Sequence, residues 1–243
     1  MDSNTARRLL DLNRQFYQTF GREFSATRQR LQPGVRRILE SLRGDETVLD
    51  LGCGNGELGR ALARRGARGA YTGLDFSLPL LEAAKRPLGG LPAHFLQADL
   101  ASPDWDRALP PASFDLVACF AVLHHLPGAE LRLGAVRKAR ALLRPGGQFV
   151  HSEWQFLNST RLKGRIQAWS AAGLSPTDVD RGDYLLDWRQ GGRGLRYVHA
   201  FDRAELEALA AAGGFQVRET YFSDGEGGRL GLYQIWTVRP DSA

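Results

Sequence analysis

A chain of 243 residues with 43% hydrophobic content suits one large domain with an elaboration and can bury a sizeable core. It contains no run of 18 or more uncharged apolar residues, its opening MDSNTARRLL lacks a signal peptide's apolar core, and its two cysteines are too few for a disulfide framework or a cysteine zinc site; the expectation is a soluble, cytoplasmic protein without a metal centre. The formal charge of +5 permits a polyanionic partner without demanding one, because the basic residues are nearly all arginine, with lysine only at Lys85, Lys138 and Lys163, a skew that genome composition or thermal adaptation produces equally well.

Ala6 to Phe20 reads as an amphipathic helix with Leu9, Leu12, Phe16 and Phe20 on one side, acting as packing or as a lid. Phe24 to Arg28 connects it to a helix that begins near Pro33 and runs to Leu42. Tyr17 and Arg28 are then placed to cover the mouth of a site in the sheet that follows; the alternative makes Tyr17 core and Arg28 a solvated surface charge. The central stretch is Thr47 to Glu57, TVLDLGCGNGE. Val48, Leu49 and Leu51 form a strand that stops at Gly52, Gly54 and Gly56, and Leu58 to Gly66 continues as a helix whose free N-terminal amides face the glycines. Such a turn either cradles a nucleotide-sized ligand or merely packs a helix on a strand.

Order along the chain favours the cradle. A second strand, Ala70 to Leu74, ends in Asp75, where doubly wound folds place the carboxylate that binds a ribose diol, and a third, His94 to Ala98, ends in Asp99. Asp50 at the end of the first strand would repel a pyrophosphate but suits an ammonium or a sulfonium. Strand four, Phe114 to Phe120, delivers Ala121 to Leu126 to the site, with one of His124 and His125 expected to point inward and the other toward the next helix, Pro127 to Leu143. Arg144-Pro-Gly-Gly147 stops that helix before strand five, Gln148 to Glu153. Cys53 and Cys119 read as small core fillers.

These blocks, VLDLGCGNG, GLDFS, QADL and FDLVACFAVLHHL followed by LLRPGGQFV, resemble the class I S-adenosylmethionine-dependent methyltransferases over roughly Arg36 to Val238. The resemblance implies a Rossmann-like α/β fold, a seven-stranded sheet with helices on both faces and the last strand antiparallel. It implies S-adenosylmethionine as cofactor, with Gly52, Gly54 and Gly56 shaping the methionine and ribose site beside Asp50. Asp75 with Phe76 would hold the ribose, and Asp99 with Leu100 would flank the adenine. The expected organisation is a single domain: an N-terminal helical lid (1–43), a cofactor-binding half (44–153), a substrate-recognition insertion (154–195), and a C-terminal helix and strands (196–243).

In the insertion the alternation of strands and helices lapses. Trp154, Trp169, Trp188 and Tyr184 are interleaved with arginines and a glycine-rich loop, Arg189 to Gly194; they could stack bases and contact phosphates or form a small helical cap with its own core. Asp202 then caps a helix through Ala212, and Phe215 to Phe222 and Leu232 to Val238 read as final strands. FSATR at Phe24, GDYLLDW at Gly182, RYVHAF at Arg196 and LGLYQIW at Leu230 look like the tRNA wobble-uridine carboxymethyl methyltransferases, although Leu31-Gln32-Pro33 and Asp187 depart from that group's pattern. By that likeness the acceptor is a carboxymethyluridine in tRNA, a small zinc-binding activator is a possible partner, and Arg28, His124, Tyr184, Trp188, Arg196, Tyr197 and His199 line the substrate side, which Tyr17 joins from its place on the first helix. Two other readings stay open: a small-molecule O- or N-methyltransferase with His124 or His125 as general base, and a non-catalytic cofactor- or RNA-binding protein.

Overall fold

The computed structural model describes residues 1–27 and 30–239. Helix α1, Ser3–Ala26, begins at Asp2, whose carboxylate accepts from the Asn4 and Thr5 amides, and it buries Leu9, Asn13, Phe16 and Tyr17. It outruns the predicted Ala6 to Phe20 at both ends. The cap lies upstream of the first apolar position, and Gly21 allows close approach to Ser77 and Pro79. Helix α2, Pro33–Glu40, follows, with proline in its first turn.

The alternation then proceeds through β1 (Val48–Leu51), α3 (Glu57–Arg64), β2 (Tyr71–Asp75), α4 (Leu78–Ala84), β3 (Ala93–Gln97), β4 (Phe114–Phe120), α5 (Ala129–Leu142) and β5 (Leu143–Trp154). Arg144 to Gly147 is a bulge within β5 rather than a turn before it: Phe114 pairs with Leu143, and Leu116 already pairs with Gln148. After the insertion come α7 (Arg203–Ala212), β9 (Phe215–Ser223) and β10 (Gly231–Val238). The large sheet has the order β3-β2-β1-β4-β5-β10-β9; β10 is antiparallel to both of its neighbours. Successive residues of β1 serve opposite faces: Val48 packs with Ile38, Leu62 and Tyr71, and Leu49 with Val136, Phe149 and Trp236. Among the described residues no helix is long and apolar enough to cross a membrane.

Residues 154 to 199 are not an irregular or helical cap. They hold a short helix, α6 (Thr160–Lys163), and a second antiparallel sheet of β6 (Ile166–Gln167), β7 (Asp183–Trp188) and β8 (Gly194–His199). The glycine-rich loop is the turn of the β7–β8 hairpin, and the compositional boundary at 195 falls inside β8. One face of this sheet packs Leu186 and Val198 on Phe156 and Leu162; the other sets Tyr197 against Leu9 of α1.

Candidate active site

A cavity of about 640 Å³ opens where β1, β2, β3, β4 and β5 end, and α1 with the small sheet closes it from above. This is the position that a parallel sheet with a switch in strand order leaves open. The glycines beyond β1 divide the work. Gly52 has φ +69°, and a Cβ there would meet Val122 Cγ2 at 2.4 Å, so this glycine lets the loop after β4 come close. Gly54 has φ +54°, and a Cβ there would meet nothing within 4 Å; it faces the cavity. Gly56 instead lies against Ala84 of α4 and is not on the cavity wall.

Three carboxylates gather at this end. Asp50 is buried and accepts the Tyr71 hydroxyl at 2.6 Å; burial pushes its pKa up to about 7. Asp75 accepts the amides of Gly54 at 2.9 Å and Ser77 at 2.8 Å, clamping the glycine turn to β2, and burial raises it to about 6. Asp99 is held by the Arg14 guanidinium and accepts the Ala101 amide at 2.9 Å. Phe76 and Leu100 supply apolar wall beside them. Asp50 and Asp75, whose burial disfavours ionisation, around an open backbone cradle fit a ligand carrying both a sulfonium and an ammonium, because either cation favours the charged form of the acid.

The loop after β4 carries both histidines. His124 is 1% exposed, with Nδ1 2.8 Å from Glu153 Oε2, and Glu153 also contacts His151 at 3.1 Å. Desolvation raises the Glu153 pKa, so this buried group holds its proton more readily than a free carboxylate. His125 does not turn toward α5; it faces α1. Its Nδ1 lies 3.1 Å from the Tyr197 carbonyl, which can only accept, so Nδ1 bears the proton and Nε2 accepts the Tyr17 hydroxyl at 2.9 Å. Asn13 joins the same junction, donating to the carbonyls of His125 and Tyr197 and accepting the Tyr197 amide.

Opposite the acids lies a cation. Arg196 is 5% exposed, and its guanidinium sits 5.2, 5.0 and 5.5 Å from the ring centres of Phe16, Trp154 and Trp188. Arg161, Arg165 and Arg30 stand on the same cavity's wall. The cavity wall thus carries Asp50, Asp75 and Asp99 under β1 to β3 and the Arg196 guanidinium from the small sheet, with Glu153 and Asp224 also on its lining.

Of the residues singled out from sequence, Tyr17, Asp50, Gly52, Gly54, Asp75, Phe76, Asp99, Leu100, His124, His125, Trp188 and Arg196 meet on this one cavity. Gly56 and three others do not. Tyr184 packs edge-on against Phe156 at 5.3 Å, the Tyr197 hydroxyl binds Asp183 at 2.7 Å, and His199 is sandwiched between Asp183 and Glu205 at 2.6 and 2.9 Å, fastening β8 to α7. Strand alternation explains Tyr197 and His199, which share the face of β8 opposite to the one that carries Arg196. Arg28 lies outside the described residues. The sequence reading missed Glu153, Asn13 and Arg161. An acid ending a buried strand and an asparagine in the apolar stripe of α1 were the available signals for the first two; Arg161 carries none.

A family model described as a methyltransferase domain matches residues 49–149. A protein of Encephalitozoon cuniculi named as a methyltransferase is 33% identical over 203 residues, covering 83% of this chain and 86% of that one. The fold is shared with a structure described as a SAM-dependent methyltransferase from Methanosarcina mazei (TM-score 0.65, 22% identity, 86% and 98% of the two chains). It is shared too with a chain from a complex of the Haloferax volcanii Trm112 methyltransferase activator and a methyltransferase (TM-score 0.66, 15% identity, 95% and 99%). With a glycine turn open to the cavity, acids at the ends of β1 and β2 and this strand order, the chain belongs to the class I S-adenosylmethionine-dependent methyltransferases.

Proposed function

We propose that this methyltransferase esterifies a carboxylate, that of a carboxymethyl-type wobble uridine in tRNA, in the cytoplasm. The observation that carries this reading is the buried Arg196 guanidinium on the cavity wall, across from the cofactor acids. A guanidinium above aromatic faces is weakly hydrated and presents its N–H groups in a planar fork that matches a carboxylate. S-adenosylmethionine supplies a methyl group already activated by its sulfonium, which leaves alignment as the protein's main task. A carboxylate of pKa about 4 is ionised at neutral pH and needs no general base. Arg196 would hold one carboxylate oxygen and leave the other directed at the methyl carbon, while Trp154 and Trp188 exclude water from the reacting oxygen. Charge sorts the two ligands: the cofactor's cations belong with Asp50 and Asp75, the acceptor's anion with Arg196. The fold likeness to the methyltransferase in complex with its Trm112 activator supports including a small zinc-binding activator as partner.

A small-molecule O- or N-methyltransferase is the second reading, favoured by His125, whose Nε2 stands on the cavity wall within hydrogen-bond distance of a hydroxyl, that of Tyr17. In that case a histidine would serve as general base. One experiment separates them: transfer of labelled methyl to tRNA pools with and without the activator, followed by mild alkali. Label released as methanol supports the ester. Alkali-stable label places the methyl on carbon, nitrogen or ribose oxygen, and label found only in small metabolites supports the second reading.

A further inference from the structure

The turn that carries Arg161, Lys163 and Arg165 is anchored more firmly than its cations require. Ser159 caps α6 by accepting the Leu162 amide, Leu162 is buried with Phe156, Leu186 and Val198, and the Arg165 carbonyl accepts the Asp187 amide at 3.0 Å. The side chains of Arg161 and Lys163 nevertheless stand exposed, and Arg165 is half-buried. Some arginines on this surface are neutralised, Arg37 by Glu219, Arg64 by Glu57, Arg144 by Asp115, Arg189 by Asp187 and Arg203 by Glu207, whereas others, Arg137 and Arg218 among them, stand exposed away from the cavity. Among the described residues Arg161, Lys163 and Arg165 have no acidic partner. They contribute nothing evident to folding, and two of them line the mouth of the cavity on the side of Arg196.

An adjoining element adds a different chemistry. Asn158, just before α6, donates to the Arg229 carbonyl at the tip of the β9–β10 hairpin, and Arg229 lies 5.2 Å from the centre of the Phe222 ring. Phe222 is 42% exposed, rare for so large an apolar side chain in this chain. Fixed cations beside an exposed aromatic face suit a single-stranded nucleic acid, whose phosphates pair with the cations and whose bases stack; an acidic peptide would use the cations alone.

We infer that the Arg161–Arg165 turn, with the Arg229 and Phe222 hairpin tip beside it, is a docking ridge for the phosphate backbone of the RNA loop that carries the methyl acceptor. The ridge holds the loop at the cavity mouth so that the acceptor group reaches Arg196. This rests on the tRNA reading proposed above and names the surface that binds the RNA.

The test measures tRNA binding over a range of salt for the wild-type protein, for Arg161→Gln/Lys163→Gln/Arg165→Gln, for the control Arg137→Gln/Arg203→Gln/Arg218→Gln with the same charge change at exposed positions off the cavity, and for Phe222→Ala. The ridge variant should bind tRNA at least tenfold more weakly at moderate salt, with a log–log salt slope reduced by about two to three, roughly one for each phosphate that it no longer neutralises. Its S-adenosylmethionine affinity should stay at the wild-type value, which also reports an intact fold. Phe222→Ala should weaken binding severalfold without changing the slope. Ridge and control variants that weaken binding equally would reduce the effect to net charge and overturn the ridge, as would a ridge variant that binds like wild type. Absence of tRNA binding or methyl transfer by the wild-type protein with its activator overturns the tRNA reading itself, and the ridge with it.

Discussion

At the scale of single residues the site is a set of charged groups held in place by specific neighbours. Arg196 is the sharpest case. Its three aromatic neighbours hold the guanidinium on the cavity wall without removing its charge. On the carboxylate reading, Arg196→Gln should lower kcat/KM for the acceptor about 10- to 100-fold, the worth of one hydrogen bond to a charged group, with S-adenosylmethionine affinity unchanged. Arg196→Lys should recover part of that deficit, since it restores charge but not the planar fork. Steady-state kinetics with each substrate varied in turn checks both; an acceptor kcat/KM untouched by Arg196→Gln would remove the residue from the site. Gly54 makes the complementary test at the cofactor end. Gly54→Ala places a Cβ in the cavity at φ +54°, and the Kd for S-adenosylmethionine by calorimetry should rise at least tenfold.

At the scale of elements, α1 ties the two halves of the site together. Arg14 reaches Asp99, Tyr17 reaches His125 and lies edge-on to Phe76, Phe16 supports Arg196, and Asn13 bridges the His125 loop to β8. Apolar spacing makes α1 legible as an amphipathic helix, but periodicity says only which face is buried; the partners on that face come from elements far along the chain. Asn13 shows the limit. A polar residue in the stripe counts against the pattern, yet it satisfies a backbone amide and two carbonyls that no helix or strand pairs. Asn13→Ala leaves the Tyr197 amide and the His125 carbonyl without this partner, while the Tyr197 carbonyl keeps His125 Nδ1, and thermal or denaturant unfolding should show a loss of about 1–3 kcal/mol. The small sheet is less legible still. Its glycine-rich loop from Arg189 reads as a break in regular structure, whereas the two apolar segments flanking it are the mark of a hairpin. Strands β1, β2 and β4 are legible because buried parallel strands are short apolar runs bounded by turns, and Asp50 and Asp75 because each lies at the carboxyl end of such a run.

At the scale of the whole molecule, the cofactor end is built at some cost to the stability of the unliganded protein, and the cost depends on pH. Asp50 and Asp75 are lifted to about 7 and about 6 chiefly by burial, with the Tyr71 hydroxyl and backbone amides opposing the shift. A carboxyl in an unfolded chain titrates near 3.9, so between about pH 4 and 7 the folded state holds protons that the unfolded state has released. Stability therefore falls as pH rises through that window, and above pH 7 both acids are ionised in a site that poorly solvates them. A ligand bearing a sulfonium and an ammonium reverses this, because it favours the ionised acids and must displace their protons at lower pH. The rise in Tm on adding saturating S-adenosylmethionine should accordingly be larger at pH 8 than at pH 5.5, and its Kd should weaken as pH drops below 7. Asp50→Asn should raise the Tm of the unliganded protein at pH 8 and flatten most of the pH dependence of cofactor binding, since the amide keeps the Tyr71 contact without the charge. Equal Tm increments at the two pH values, or an Asp50→Asn protein that binds cofactor with unchanged pH dependence, would show that these acids are satisfied within the fold and that the cofactor's cations are held elsewhere.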